Sequence, residues 1–373
     1  MLRAGRGRDE LLLMSLVLVL LTLGLAFANG ANDVSKGIAT LVGSGTTKYR
    51  AAVAWGTAWT LAGGLSAAFF SQGLVATFSG KGFLLNPPEG NALLLSVACG
   101  AIGWLLFATV TGLPVSTTHA LAGALCGAGI AAAGSSGVAW AAVARKVALP
   151  LALSPVLSLV LMLVVSPVVL PIFRRFHRFC VCLERRETVL ATAGSARTAS
   201  LPTVDVVAAS DCPPETLVRV GLLDSLHWTS AGATSFFRGL NDTPKILALG
   251  IAATAAYGVS AFGFYALVAV AMSLGSFLGG FRVTETLARK VTRIGHDDGL
   301  LANLTTSALV SAASFWALPV STTHVSSGAI IGIGAESKES GLQWRTVREM
   351  LLAWAVTLPV AGLLAALTYR VLS

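Results

Sequence analysis

Charge is scarce in this chain. Of its 373 residues 12% are Asp, Glu, Lys or Arg and 55% are apolar, and its mean hydropathy is strongly positive. A soluble domain carries about 25% charged residues, so the composition excludes that class and places the chain among polytopic membrane proteins. No apolar run has the period-two alternation of a barrel strand, which excludes a transmembrane barrel. Cysteine is sparse and scattered: Cys99 and Cys126 sit in apolar runs, Cys212 in a polar stretch, and Cys180-Val181-Cys182 forms one isolated pair. That pattern gives neither a disulfide framework nor a cysteine metal site, although the juxtamembrane position of Cys180 and Cys182 suits lipidation. The net charge of +9 would suit nucleic acid in a soluble chain, but in a membrane chain it has a simpler use, because Lys and Arg collect in cytoplasmic loops.

What is present is a series of apolar runs. A crossing takes roughly 20 apolar residues, and runs lie near residues 11 to 28, 51 to 70, 91 to 112, 116 to 133, 147 to 173, 226 to 256, 259 to 281, 300 to 317, 320 to 335 and 350 to 369. They predict an all-α integral membrane protein of about ten membrane segments, with the lipid bilayer as its solvent. Arg3, Arg6 and Arg8 ahead of the first run imitate a signal peptide. The residues that follow belong to a motif that recurs, so the run is read as that motif's supporting helix.

Leu113-Pro114-Val115-Ser116-Thr117-Thr118-His119 returns letter for letter as Leu318-Pro319-Val320-Ser321-Thr322-Thr323-His324. Gly30-Ala31-Asn32-Asp33-Val34-Ser35-Lys36 aligns with Gly239-Leu240-Asn241-Asp242-Thr243-Pro244-Lys245 in a Gly-x-Asn-Asp-x-x-Lys pattern. Trp140 pairs with Trp344 and the mid-helix Pro150 with Pro359, in the same order and at nearly constant separation. The chain is an internal duplication: residues 1–173, a polar linker at 174–218 that is arginine-rich at its start and partly disordered, and residues 219–373.

Each half holds a helix broken at Asn-Asp, a second helix, two apolar arms around the heptad and a final helix. Re-entrant arms give three crossings per half and spanning arms give five. Either number is odd, so the second half is inverted relative to the first. With the linker inside, most Lys and Arg fall on the inner face. That places both termini outside, against the evidence of Arg3, Arg6 and Arg8.

The heptads carry the first constellation. Proline interrupts one arm, and Ser-Thr-Thr caps the next, where free backbone N–H groups and a helix dipole make an anion site. Two opposed tips near the midplane bring together the hydroxyls of Ser116, Thr117, Thr118, Ser321, Thr322 and Thr323, enough to enclose one tetrahedral oxyanion. The plain alternative is two capped, kinked helices. A Ser-His-Asp hydrolase is the enzymatic alternative, but no Gly-x-Ser-x-Gly elbow surrounds Ser116 or Ser321, and His119 and His324 read as packing residues.

Asp33 and Asp242 form the second constellation. A lone carboxylate in an apolar run costs several kcal/mol, about 3 on insertion scales, and Lys36 and Lys245 stand one turn along to pair with them. Structural ion pairing is one reading. The other makes the aspartates carriers of a proton or a sodium ion, with Asn32 and Asn241 as neutral ligands. Sodium at Asp33 and Asp242 is the one metal in view. Arg282 and Glu285, three apart at the end of an apolar run, suit an interfacial anchor or a gate ion pair.

With these motifs the chain resembles the inorganic phosphate transporter (PiT) family, whose members carry a Gly-Ala-Asn-Asp-Val and a Pro-Val-Ser-Thr-Thr-His motif in each half. Gly-Phe-Arg-Val-x-x-Thr around Arg282 is also similar. The resemblance implies cation-coupled phosphate uptake by a homodimer in the plasma membrane (the inner membrane of a bacterium), without a cofactor. The six hydroxyl residues would lie on the anion, and Asp33 and Asp242 at coupling-ion or substrate positions. Lys36 and Lys245 depart from it, standing where the family has a neutral Asn. A fixed ammonium can occupy the place of a sodium ion, which points to proton coupling, or to fewer sodium ions, and leaves sulfate open beside phosphate. Moving a dianion into an interior 100 mV negative costs about 4.6 kcal/mol, which favours a symporter over an anion channel.

Overall fold

The computed structural model describes residues 2–70, 72–79, 83–86, 91–192, 195–208, 218–336 and 341–373. In chain order the elements are α1 (Leu2–Asp33), α2 (Ser35–Gly43), α3 (Tyr49–Phe70), α4 (Gln72–Phe78), α5 (Ala92–Thr111), α6 (Thr117–Ala133), α7 (Trp140–Val143) and α8 (Leu149–Phe176). Strands β1 (Phe179–Thr192), β2 (Ser195–Ala208) and β3 (Val218–Gly221) follow. The chain ends with α9 (Leu222–Thr254), α10 (Ala261–Gly279), α11 (Phe281–Glu285), α12 (His296–Phe315), α13 (Thr322–Glu336) and α14 (Trp344–Leu372).

Among the described residues, five helical stretches are long and apolar enough to cross a membrane: Leu12–Gly43, Ala92–Thr111, Leu149–Phe176, Ala261–Gly279 and Trp344–Leu372. The chain is thus a mostly helical, multi-pass membrane protein. Among the remaining apolar runs, α6 and α13 are short, and α9 carries Arg238, Asp242 and Lys245 among its buried residues.

Helices in lipid gain little from apolar burial against one another, so close backbone approach decides their packing. A Cβ on Gly30 of α1 would lie 1.9 Å from the Met272 carbonyl of α10, and one on Gly239 of α9 would lie 2.4 Å from the Thr60 carbonyl of α3. The same motif glycine therefore seats the motif helix of each repeat on a helix of the other. The exchange continues outward, since α6 packs along α14 and α13 along α8. The two halves are interleaved.

Three expectations need correction. The helix is broken at Asn-Asp only in the first repeat, and weakly: Val34 keeps helical backbone angles between α1 and α2. In the second repeat α9 runs through Asn241 and Asp242 without interruption. Pro244 there removes one backbone donor, toward the Leu240 carbonyl, without ending the helix. Pro150 likewise opens α8 after a π turn at Ala144–Ala148, whereas its counterpart Pro359 lies inside α14. Finally, the chain is not all-α, because the polar linker carries a three-stranded antiparallel sheet in the order β2-β1-β3. Thr203-Val204-Asp205-Val206 has the alternation a strand needs. Cys180 is free in this sheet and Cys182 is disulfide-bonded, a pairing the cysteine spacing did not suggest.

Candidate functional site

Each heptad turns the chain at an αL corner, Gly112 (φ 77°) in the first copy and Ala317 (φ 52°) in the second. The amide of the next residue bonds back into the helix, Leu113 to Ala108 and Leu318 to Ala313, both at 2.8 Å. After the proline, Ser116 Oγ accepts from the His119 amide at 3.2 Å and Ser321 Oγ from the His324 amide at 3.1 Å. Both serines are helix N-caps, as the spacing predicts.

The two tips meet. Thr118 donates to the Val320 carbonyl at 3.2 Å, and Thr323 donates to the Val115 carbonyl at 2.7 Å. The second threonine of each heptad thus binds the valine of the other. Thr117 lies 3.5 Å from Asp33 Oδ2 and accepts from Asn29 Nδ2 at 2.8 Å. Thr322 is buried at the start of α13. All six hydroxyl residues are buried, and α6 and α13 both begin at the contact, with their first-turn N–H groups there.

The Asn-Asp-x-x-Lys motifs flank the tips. Lys36 Nζ donates to Asn32 Oδ1 at 3.0 Å, to the Asn32 carbonyl at 3.2 Å and to Asp33 Oδ1. Lys245 Nζ donates to Val320 O at 2.9 Å, Thr118 Oγ1 at 3.0 Å and Asp242 Oδ1 at 3.3 Å. Each ammonium has three donors and finds three oxygens. Asn32 reaches the first tip through Thr109 Oγ1 (3.2 Å), Leu113 O (3.1 Å) and the Val115 amide (3.3 Å). In the second repeat Asn241 Oδ1 accepts from Ser314 Oγ (3.4 Å), and its Nδ2 donates to Val320 O (3.5 Å).

The sequence motifs stop one residue short of the hub. Asn29 precedes Gly30 as Arg238 precedes Gly239. Asn29 Nδ2 lies 2.8 Å from Thr117 Oγ1, 3.1 Å from Asp33 Oδ2 and 3.4 Å from Asp242 Oδ2, bridging both aspartates to the first tip. Its Oδ1 accepts from Arg238 Nη1 at 3.4 Å. Thr109 and Ser314 were missed in the same way, each standing four residues before the Leu113 or Leu318 of its heptad. Lengthening both alignments upstream reaches all four positions, although neither pair is identical between the repeats. Trp354 was not legible by that route: it comes from α14 and donates to the Pro114 carbonyl at 2.9 Å.

The histidines pack, as expected. His119 and His324 lie with ring centroids 4.5 Å apart, and His324 lies 4.1 Å from Trp354. Among the described residues neither imidazole hydrogen-bonds a heptad serine, so the geometry lacks the nucleophile–base contact a hydrolase needs. Arg282 does not pair with Glu285. It donates to the Val110 carbonyl at the C-terminal end of α5, a favourable place for a cation.

A model of the "Phosphate transporter family" matches residues 29–365, from the hub asparagine to the last helix. The chain belongs to the phosphate transporter family. Among curated relatives, a Bacillus subtilis protein described as "Probable low-affinity inorganic phosphate transporter" is 29% identical over 365 residues, covering 98% of this chain and 99% of its own. A Rhizobium meliloti protein of the same description is 29% identical over 361 residues, with 94% of each chain covered. A solved structure titled "The sodium-dependent phosphate transporter" shares the fold, with a TM-score of 0.75 and 22% identity over 96% of this chain and 99% of that one. The duplicated motifs that carry the resemblance are the ones that meet at the tips.

Proposed function

We propose that this member of the phosphate transporter family is a secondary active symporter that carries inorganic phosphate by alternating access. The observation that carries the proposal is the reciprocal bonding of the two tips beside both Asp–Lys pairs. A tetrahedral oxyanion recruits hydroxyls and helix N-termini, and here two sets face each other. In the closed arrangement Thr118 and Thr323 spend their protons on backbone carbonyls. An arriving anion takes those donors over, and the tips part around it.

The coupling ion is the proton. Support comes from the two ammonium groups, each held by three oxygens of a kind a sodium ion would otherwise collect. Protons carried by the Asp–Lys pairs offset the cost of bringing phosphate into a negative interior, one for each negative charge of the anion.

The inverted repeats, the re-entrant arms and the homodimer belong to the same proposal. The swapped packing of α1 on α10 and α9 on α3 supports a two-fold relation within the chain. Exposed apolar side chains on α8, among them Val160, Val164 and Val168, supply a face for lipid or for a second copy. The charge distribution supports an inward linker and outward termini. Uptake of radiolabelled phosphate with sulfate and arsenate as competitors tests the substrate: arsenate should compete and sulfate should not. Preferential inhibition by sulfate would reassign the anion.

A further inference from the structure

Among the described residues, three cations and two carboxylates are buried around the tips. Lys36 is paired with Asp33 and Lys245 with Asp242, which leaves Arg238. Its side chain is 1% exposed, one helical turn before Asp242. Nη2 donates to Thr60 of α3 at 2.6 Å and to Ser276 of α10 at 3.2 Å, and Nη1 to Asn29 of α1 at 3.4 Å. Every one of those partners is neutral. Among the described residues its Nε is buried with no hydrogen-bond partner. Among the described residues no carboxylate forms a salt bridge with it.

The charge count does not depend on where protons sit within the pairs. A Lys–Asp pair sums to zero whether the proton rests on the amine or on the carboxylate, and a guanidinium does not give its proton up. The anion-free site therefore carries one positive charge in a region where uncompensated charge is costly. The first repeat avoids this, because Asn29 occupies the equivalent position. One bound monoanion removes the excess. A dianion does so when one more proton enters with it, on either aspartate.

We propose that Arg238 is the charge-setting residue of the transport cycle, making reorientation of the site conditional on a bound anion. The consequence is that the protein exchanges phosphate across the membrane faster than it accumulates phosphate in net. The anion-loaded site turns over as a neutral unit in both directions. The anion-free site must first shed a proton from a lysine before it can return. This inference rests on the phosphate-transport reading above and concerns only how the empty carrier behaves.

The test uses the purified full-length protein in proteoliposomes, with the potential clamped at zero and the same mildly acid buffer in both arms. Entry of labelled phosphate is compared between vesicles preloaded with unlabelled phosphate and vesicles without it. The wild type should run exchange at least tenfold faster than net uptake. Arg238→Asn, which installs the first repeat's residue, should bring the ratio toward one, and Arg238→Lys should keep it high. Arg238→Gln serves if the Asn variant does not assemble, since it keeps a longer polar side chain with an amide donor while losing the charge. A purely structural arginine would change the amount of active protein, not this ratio. A wild-type ratio near one, which needs no variant, overturns the proposal, as does an unchanged ratio in an active Arg238→Asn or Arg238→Gln protein. A wild type that moves no labelled phosphate in either arm overturns the transport reading itself.

Discussion

Lys245 Nζ donates to the Thr118 hydroxyl at 3.0 Å, joining the second repeat's ammonium to the first repeat's tip. Thr118 in turn donates to Val320, so one lysine, one carboxylate and both heptads form a connected unit. Removing one charge of a buried pair costs more than removing both, typically about 3–5 kcal/mol, because the remaining charge loses the partner hydrogen-bonded to it. Lys245→Met should therefore lower the melting temperature of the detergent-solubilised protein sharply. Adding Asp242→Asn should recover most of that loss without restoring transport. A Lys245→Met protein as stable as the wild type would show that the pair is not coupled as the geometry indicates.

The serines predict an effect on the anion. Ser116 and Ser321 make the same cap in the two repeats, and each N-cap is worth about 1 kcal/mol. Replacing both by Ala should raise the KM for phosphate more than either single change, and replacement by Thr, which keeps a hydroxyl, should preserve it. Unchanged KM in the double Ala variant would remove the two-tip model.

Much of this site was readable before any fold was known, because duplication marks it twice. The exact heptad and the Gly-x-Asn-Asp-x-x-Lys motif supplied twelve residues, and the structure brings them around one contact. Asn29 and Arg238 were hidden because they differ between repeats, and a search for identity passes over a position where the difference is the point. Trp354 was hidden for another reason: it arrives from α14 through helix packing that local patterns do not encode. The sheet in the linker was obscured by composition, since Ser, Thr and Ala suggest disorder while the Val-x-Val alternation that argues for a strand is short. The unbroken α9 shows that a proline four residues from its lost partner carbonyl does not end a helix whose neighbours hold it in place.

The αL corners make a prediction about stability alone. Ala317 adopts the left-handed conformation that Gly112 occupies in the other copy, and a non-glycine residue there costs about 1–2 kcal/mol. Part of that is returned to the glycine's greater freedom in the unfolded chain. Ala317→Gly should stabilise the protein by about 0.5–1 kcal/mol, and Gly112→Ala should destabilise it. Thermal unfolding in detergent measures both, and a loss of stability in Ala317→Gly would mean that the alanine methyl packs for more than its strain.

Orientation is open to direct labelling. Val204 in β2 is well exposed, so Val204→Cys in intact cells should resist a membrane-impermeant thiol reagent until the membrane is permeabilised. The disulfide at Cys182 argues the other way, since such bonds persist mainly outside the cytosol. Reaction in intact cells would turn the topology over and place the linker outside.

Proton-driven phosphate uptake is the central claim, and one measurement meets it directly. Purified protein in proteoliposomes, given an inwardly directed proton gradient and labelled phosphate, should accumulate phosphate above equilibrium equally well with and without sodium. Lys36→Asn combined with Lys245→Asn, which opens both cation positions, should shift that uptake toward dependence on sodium. Accumulation by the wild type that requires sodium and ignores the proton gradient would contradict the account.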